Sequence, residues 1–430
     1  MKEKFIKSTL ILLIGGLVTK VLSLVIKITM TRLMGPKGLS MYMLVLPTFS
    51  LLINIGTFSL PLALSKLISE DTRNNKNLFF SVLPIILVIN LSLIILIIIS
   101  AKYISTTLLK NSDLYISILS MSLVIPFTTI SSICRSYFFG KEKMYPHVIS
   151  NIIENITRLI LMIIGIPYFL KFSLKITISF IILSNIISEV TSTLILILYL
   201  PKQITLKRED FIPNKVYIKD TLKISVPNTM SRLIGSIAYF LEPIILIEFL
   251  SKNYSLSYIT TEYGVIGGYV IPLILLPSFF TLAISQALLP LVSKEYTKNN
   301  LLYIKRKIKQ TLILSLAMGL IVTIPLTLKP ELFLNLIYKT TIGSNYMKVL
   351  APICLLEYIQ SPISFSLDAM GKSKDNFITS IISISSRLLS LIILSNFKIG
   401  IYAYIISLSI NIILTTLYPY KKLKKYLKYT

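Results

Sequence analysis

Cysteine, histidine and charge are all scarce in these 430 residues, and each scarcity removes a class of function. The two cysteines, Cys134 and Cys354, stand alone, without the paired spacing of a metal site or a disulfide framework. The one histidine, His147, falls where a loop becomes a helix, so an interfacial residue is expected there rather than a ligand. No metal site and no cofactor is expected. Charged residues make up only 14% of the chain against 54% hydrophobic ones, a balance that excludes a soluble domain. A long carboxylate-bearing loop is missing too. The longest polar connection, Pro201 to Asp220, holds only Glu209, Asp210 and Asp220 among basic residues, which speaks against an integral glycosyltransferase or polymerase. The start, MKEKFIKSTLILLIGGL, is basic and then apolar but has no small-residue cleavage site, so an uncleaved first helix is expected.

What remains is hydrophobic runs. A hydrocarbon core about 30 Å thick needs roughly 20 mostly apolar residues per spanning helix. Twelve such runs are predicted, at about 5–30, 39–65, 78–100, 113–138, 147–170, 175–200, 221–250, 263–292, 303–328, 345–370, 375–396 and 399–419. The expected fold is therefore an all-α integral membrane protein. The connection after the sixth span divides it into an N-terminal lobe (1–200), a cytoplasmic linker (201–220) and a C-terminal lobe with a basic tail (221–430). Two six-helix lobes of equal orientation would be related by a pseudo-twofold axis along the membrane normal, V-shaped around a central cavity. Weak internal symmetry agrees: GKEK (Gly140 to Lys143) precedes a helix carrying Arg158, and GKSK (Gly371 to Lys374) precedes one carrying Arg387.

Charge sets the orientation. Lysine and arginine number 44 against 18 acids, for a net charge of +26. Of the 44, 28 fall at the termini and even-numbered connections, 11 at the odd connections and five within spans, which places both termini in the cytoplasm. The excess is then a basic cytoplasmic face against anionic lipid, as in the tail KKLKKYLKYT, and no nucleic-acid partner is expected.

Polar residues inside the spans fall on stripes. His147, Asn151, Glu154, Asn155 and Arg158 recur at spacings of three and four in the fifth span, as do Asn228, Arg232, Ser236, Tyr239 and Glu242 in the seventh. The first span has Gly16, Lys20, Ser23 and Lys27; the tenth has Glu357, Gln360, Ser361, Ser364 and Asp368; the eleventh has Ser380, Ser383 and Arg387. A charge at mid-bilayer costs at least about 2.5–3.5 kcal/mol, so such stripes usually face a bundle interior or a watery cavity. Bland explanations compete residue by residue. Glu154 and Arg158, at i,i+4, could neutralise each other. Lys27 could snorkel outward. Glu189 and Glu248 lie near predicted helix ends. Lys20, Arg232 and Arg387 have no opposite charge within a helical turn. Unpaired cations suit an anion such as phosphate or pyrophosphate. Pro47 and Pro61 in the second span, and Pro272 and Pro277 in the eighth, put breaks in two helices that would be equivalent across the halves, as hinges or as static kinks.

The runs TRLMGPKGLSMYMLVLPTFSLLINIGTFSLPLALSKLISE (Thr31 to Glu70) and CRSYFFGKEKMYPHVISNIIENITRLI (Cys134 to Ile160) resemble the polysaccharide-transporter branch of the multidrug/oligosaccharidyl-lipid/polysaccharide exporter superfamily. Within it they are most similar to the stage V sporulation protein B group, relatives of MurJ-type lipid II flippases. ISVPNTMSRLIGSIAYFLEPIIL (Ile224 to Leu246) and the run Tyr263 to Lys294 agree. The resemblance implies a flippase of the bacterial plasma membrane that moves an undecaprenyl-pyrophosphate-linked saccharide from the inner to the outer leaflet by alternating access. Lys20, Arg158, Arg232 and Arg387 would bind the anionic headgroup. Glu154, Glu242 and Glu357 would brace these cations or carry a coupling proton or sodium ion, unless membrane potential alone drives transport. Asn151, Asn155, Asn228 and Gln360 would line the polar cavity. Two departures concern the substrate: Ile26 and Lys27 stand where MurJ-type proteins have an Arg and Asp pair, and twelve spans are expected where those proteins have fourteen. The expected partners are the lipid-linked saccharide and membrane lipids, and a monomer is compatible with the sequence. Two alternatives stay open, an ion-coupled exporter of organic cations and a non-transporting scaffold in spore envelope assembly.

Overall fold

The computed structural model describes residues 2–70, 74–200 and 208–427, the side chains of 2–10, 13, 208 and 209 excepted. Among the described residues every regular element is helical. They are α1 (Lys2–Thr57), α2 (Leu60–Ser69), α3 (Asn75–Tyr103), α4 (Tyr115–Gly140), α5 (Met144–Leu170), α6 (Leu174–Leu198), α7 (Lys215–Leu250), α8 (Leu256–Val265), α9 (Ile271–Ile274), α10 (Ser278–Thr297), α11 (Leu301–Leu328), α12 (Pro330–Tyr338), α13 (Ser344–Ala369), α14 (Ser373–Ser395) and α15 (Tyr402–Tyr426). Helix starts follow capping chemistry. Asn74, Ser173, Ser255 and Asn300 each accept a hydrogen bond from the first-turn amides of α3, α6, α8 and α11.

By length and composition ten helices among the described residues can cross a membrane, or eleven if the bent pair Leu256–Ile274 and Ser278–Thr297 is one span. Twelve were expected. The difference from eleven has one source: the first predicted span and most of the second lie in a single helical segment, α1, which is 56 residues long. Its backbone breaks at Gly35 (φ 66°, ψ −176°), a conformation open to glycine, followed by Pro36. The chain is a multi-pass membrane protein. Its outward apolar surface fits that medium: α3 alone exposes Leu87, Val88, Leu91, Ile95, Ile98 and Ile99, which lipid tolerates and water does not.

Helix α1 ends at Phe58 and Ser59, both with φ 46°, and α2 restarts with Pro61 in its first turn. Pro47 sits inside α1 without ending it. The eighth predicted span is interrupted in a comparable place. A π-helical turn (Ile266–Val270) leads into α9, which has Pro272 in its first turn, and after Pro277 the axis resumes as α10 at an angle of 52°.

The chain divides into two compact units, residues 1–240 and 241–430, at a point inside α7. In the first, α2, α3 and α4 close an apolar core around Leu60, Leu64, Leu78, Val82, Ile86 and Ile133. In the second, α10, α11, α13 and α15 do the same around Leu288, Val292, Ile304, Ile308, Ile363 and Leu423. In each unit the fourth predicted span is the hub: α4 packs on α2, α3 and α6, and α13 packs on α10, α11 and α15.

Candidate functional site

Three helices of the first unit meet around buried charge. Gly165 lets α5 approach α6 closely, since a Cβ there would lie 2.1 Å from the Phe180 ring. This contact aligns the polar faces of α5 and α6 beside α4. Arg135 of α4 donates through Nη2 to Glu154 Oε2 of α5 at 2.8 Å, to Glu189 Oε2 of α6, and to Ser131 Oγ at 2.8 Å. Arg158, one turn after Glu154, donates to its other oxygen, Oε1, at 2.7 Å and reaches Ser188 Oγ at 3.4 Å. Both carboxylates are buried. The four groups form an alternating line, Glu189, Arg135, Glu154, Arg158, with formal charges that cancel. Only such pairing makes buried charge tolerable, because an unpaired ion in low dielectric costs several kcal/mol.

The open end of that line faces a cavity of about 300 Å³. Lys27 and Arg158 supply its cations; Ser23, Tyr42, Asn155 and Asn185 supply neutral polar groups; Met30, Met43 and Met162 are part of its apolar wall. No Asp or Glu is among the described residues lining it. Ser23 Oγ donates to Asn155 Oδ1 at 3.3 Å, tying α1 to α5, and Asn155 Nδ2 donates to the Asn151 carbonyl at 2.8 Å. Asn151 in turn lies 3.4 Å from His147 Nε2. The arrangement can hold an anion against two cations, with amide and hydroxyl groups alongside.

The second unit has a separate cluster. Arg387 of α14 donates through Nη2 to Glu242 Oε2 of α7 at 2.8 Å, Tyr404 of α15 donates to the same oxygen at 3.3 Å, and the guanidinium lies 5.9 Å from the Tyr404 ring centroid. Glu242 is 1% exposed. On α13, Glu357 accepts from Gln360 Nε2 at 2.7 Å, and Gln360 also donates to Thr415 of α15 at 2.8 Å.

The other residues singled out in the sequence are placed differently. Lys20 lies on an exposed part of α1, two turns before Lys27 on the same face. Arg232 is exposed and donates to Asn54 Oδ1 at 2.6 Å, while Asn54 Nδ2 donates to Ser236 at 2.6 Å. Asn228 is exposed and bonds back to the Ile224 carbonyl at 2.7 Å. Arg387 has an opposite charge after all, on another helix, where a search within one turn could not find it. Arg135 was missed, and Glu189 was assigned to an interface rather than to a buried ion pair. In sequence Arg135 counts with the basic connection after the fourth span, yet α4 continues to Gly140; Glu189 looks near a helix end, yet α6 runs nine residues further, to Leu198. The available signal was Ser131 four residues before Arg135 and Ser192 three after Glu189, each extending a polar stripe.

Comparison with known proteins fits this architecture. Residues 5–296 match the family described as polysaccharide biosynthesis protein, and residues 266–393 match the MatE family. The chain is 29% identical over 381 residues to Stage V sporulation protein B of Bacillus subtilis (strain 168), covering 86% of this chain and 74% of that protein. Among solved structures it is similar to the lipid II flippase MurJ in an inward closed conformation (TM-score 0.74, 20% identity, 96% of this chain and 87% of that one). It is also similar to the inward-facing conformation of a multidrug resistance MATE family transporter (TM-score 0.70, 16% identity, 95% and 94%). These similar structures are a flippase and a transporter, not enzymes.

Proposed function

The chain belongs to the polysaccharide biosynthesis protein family, and on that premise we propose that it is a flippase carrying an undecaprenyl-pyrophosphate-linked saccharide from the inner to the outer leaflet of a bacterial plasma membrane. The observation that carries this reading is the cavity of the first unit, which Lys27 and Arg158 both line, with no Asp or Glu among the described lining residues. Pyrophosphate is the charged part of such a substrate, and a guanidinium beside an ammonium recognises it by paired hydrogen bonds and charge. Arg158 keeps a buried Nε–H without a hydrogen-bond partner, a donor still to be used. Asn155, Asn185 and Ser23 are suited to the first sugar. At about 300 Å³ the cavity has room for a headgroup and little more, so the lipid tail would remain outside it. Lys20, two turns away on α1, would draw the anion inward, and Arg232 and Arg387 would contact it later in the cycle. Glu154 would brace Arg158 as Glu242 braces Arg387.

Transport follows by alternating access, with the backbone breaks at Phe58 and Ser59 and at Leu275 to Pro277 as the points that bend. The excess of positive charge on one set of connections supports cytoplasmic termini. Coupling to a proton, to sodium or to membrane potential is open to Glu357, whose carboxylate accepts from an uncharged partner, Gln360. That acid, with the MatE match over residues 266–393, favours a second reading, ion-coupled export of organic cations. Lys27 in the cavity opposes it.

One vesicle assay separates the readings. Purified protein is reconstituted with a fluorescent undecaprenyl-pyrophosphate saccharide in both leaflets, and the fraction reached by a membrane-impermeant quencher is followed; organic-cation uptake is measured on the same vesicles. Lipid-saccharide movement abolished by Arg158→Ala, in protein shown to be folded, is the expected result. Cation uptake without saccharide movement would refute the proposal.

A further inference from the structure

Arg158 is the only member of the alternating charge line that lines the cavity, so the groups behind it set how much of its charge an anion can use. Glu154 is shared: one oxygen accepts from Arg158 and the other from Arg135. Arg135 is shared in turn, its Nη2 serving Glu154 and Glu189 together. Whatever draws Arg135 toward Glu154 therefore loosens Glu154 on Arg158, and whatever draws it toward Glu189 does the reverse. We propose that Arg135 and Glu189, which do not line the cavity, are positioning residues that tune anion affinity: Arg135 competes with Arg158 for Glu154, Glu189 competes with Glu154 for Arg135, and the balance releases or retains Arg158.

The geometry makes this more than a packing role. If Arg158 turned to an anion in a simple pair, Glu154 would be left buried and uncompensated, a state that opposes the motion. With Arg135 already 2.8 Å from Glu154, the carboxylate keeps an opposite charge beside it when Arg158 moves, shared with Glu189. The line thus works as a relay of partners, in which Arg135 takes over the charge that Arg158 leaves. Ser131 and Ser192, both hydrogen-bonded to Arg135 Nη2, hold the guanidinium between its two acids.

The prediction has opposite signs for two neutralising changes. Glu189→Gln frees Arg135 to serve Glu154 alone and adds one net positive charge behind the cavity. Anion affinity rises roughly three- to tenfold, the effect of a single charge acting through a partly polar interior. Arg135→Gln removes the takeover partner and leaves two acids competing for Arg158; affinity falls by at least as much. Arg135→Lys, which keeps the charge, restores most of it and guards against misfolding of the glutamine variant.

The inference rests on the proposed anion site, and the test tells the two apart. Binding of radiolabelled inorganic pyrophosphate to purified protein in detergent is measured for the wild type, Glu189→Gln, Arg135→Gln, Arg135→Lys and the cavity variant Lys27→Gln. Tighter binding in Glu189→Gln with weaker binding in Arg135→Gln supports the relay. Weakened or unchanged binding in Glu189→Gln, with the wild type binding and Lys27→Gln impaired, overturns the relay and leaves the anion site standing. No saturable binding in the wild type overturns both.

Discussion

Replacing Glu242 by glutamine alters charge and little else, and the consequence can be worked out from its surroundings. The carboxylate is 1% exposed and accepts from Arg387 at 2.8 Å and from Tyr404 at 3.3 Å. Glutamine fills the same volume and can still accept both bonds, so packing is unchanged. What is lost is the countercharge to a guanidinium that cannot shed its proton. Stranding one member of a buried pair costs about 3–5 kcal/mol. The reverse change, Arg387→Met, leaves a carboxyl that can take up a proton, and its cost is about 1–3 kcal/mol for the unmet hydrogen bonds. The double variant has no stranded charge and recovers most of the loss. The chain supplies its own reporter: it has no tryptophan, but Cys354 of α13 is 6% exposed, and in a Cys134→Ser background, which removes the half-buried second thiol, a fluorogenic maleimide reports its exposure on unfolding. Melting of detergent-solubilised protein should rank wild type, double variant, Arg387→Met and Glu242→Gln in falling order. If Glu242→Gln melted within about one degree of wild type, or if the two single effects merely added, the pair would not be the buried ion pair described here.

Gly165→Leu drives a side chain into the Phe180 ring, so a loss of about 1–3 kcal/mol or more is expected in the same melting assay, together with loss of transport because α5 and α6 carry Glu154 and Glu189. Topology is open to labelling. A cysteine at Lys110, in an odd-numbered connection, should react with an impermeant maleimide in intact cells, and one at Glu142 should react only after lysis; the reverse pattern would overturn the proposed orientation. Outside the membrane-spanning segments, the hydrogen bond from Lys348 at 2.9 Å holds the Glu331 carboxyl below its usual value of 4.5. Any stability from that pair is present above the usual value and lost as pH falls through the lowered one. Because Glu331 is solvent-exposed, Lys348→Gln should leave the melting temperature at neutral pH unchanged.

Much of this molecule was legible without coordinates, for reasons specific to membranes. Because the bilayer forces each span to satisfy its own backbone bonds, helices such as α3, α5 and α6 lie where their apolar runs lie. The stripe from His147 to Arg158 was readable because i,i+4 spacing puts residues on one face whatever surrounds the helix, and the Glu154 and Arg158 pair is such a contact. The breaks near Pro61 and Pro277 were marked by the proline ring itself.

What a helix face meets was another matter. Arg387 finds Glu242 145 residues away, and Arg135 finds Glu189 across 54, contacts that no local spacing encodes. Lys27 and Lys20 sit on the same stripe of α1, yet only the packing of α1 against α5 turns Lys27 into a cavity wall and leaves Lys20 exposed. Sequence by itself determined that this is a helical membrane protein with charge inside its spans, because hydrophobic length and helical period are local properties. Tertiary structure alone decided which charges pair across helices and which line a cavity, because Coulomb attraction and desolvation depend on distances between helices, and those distances exist only after packing.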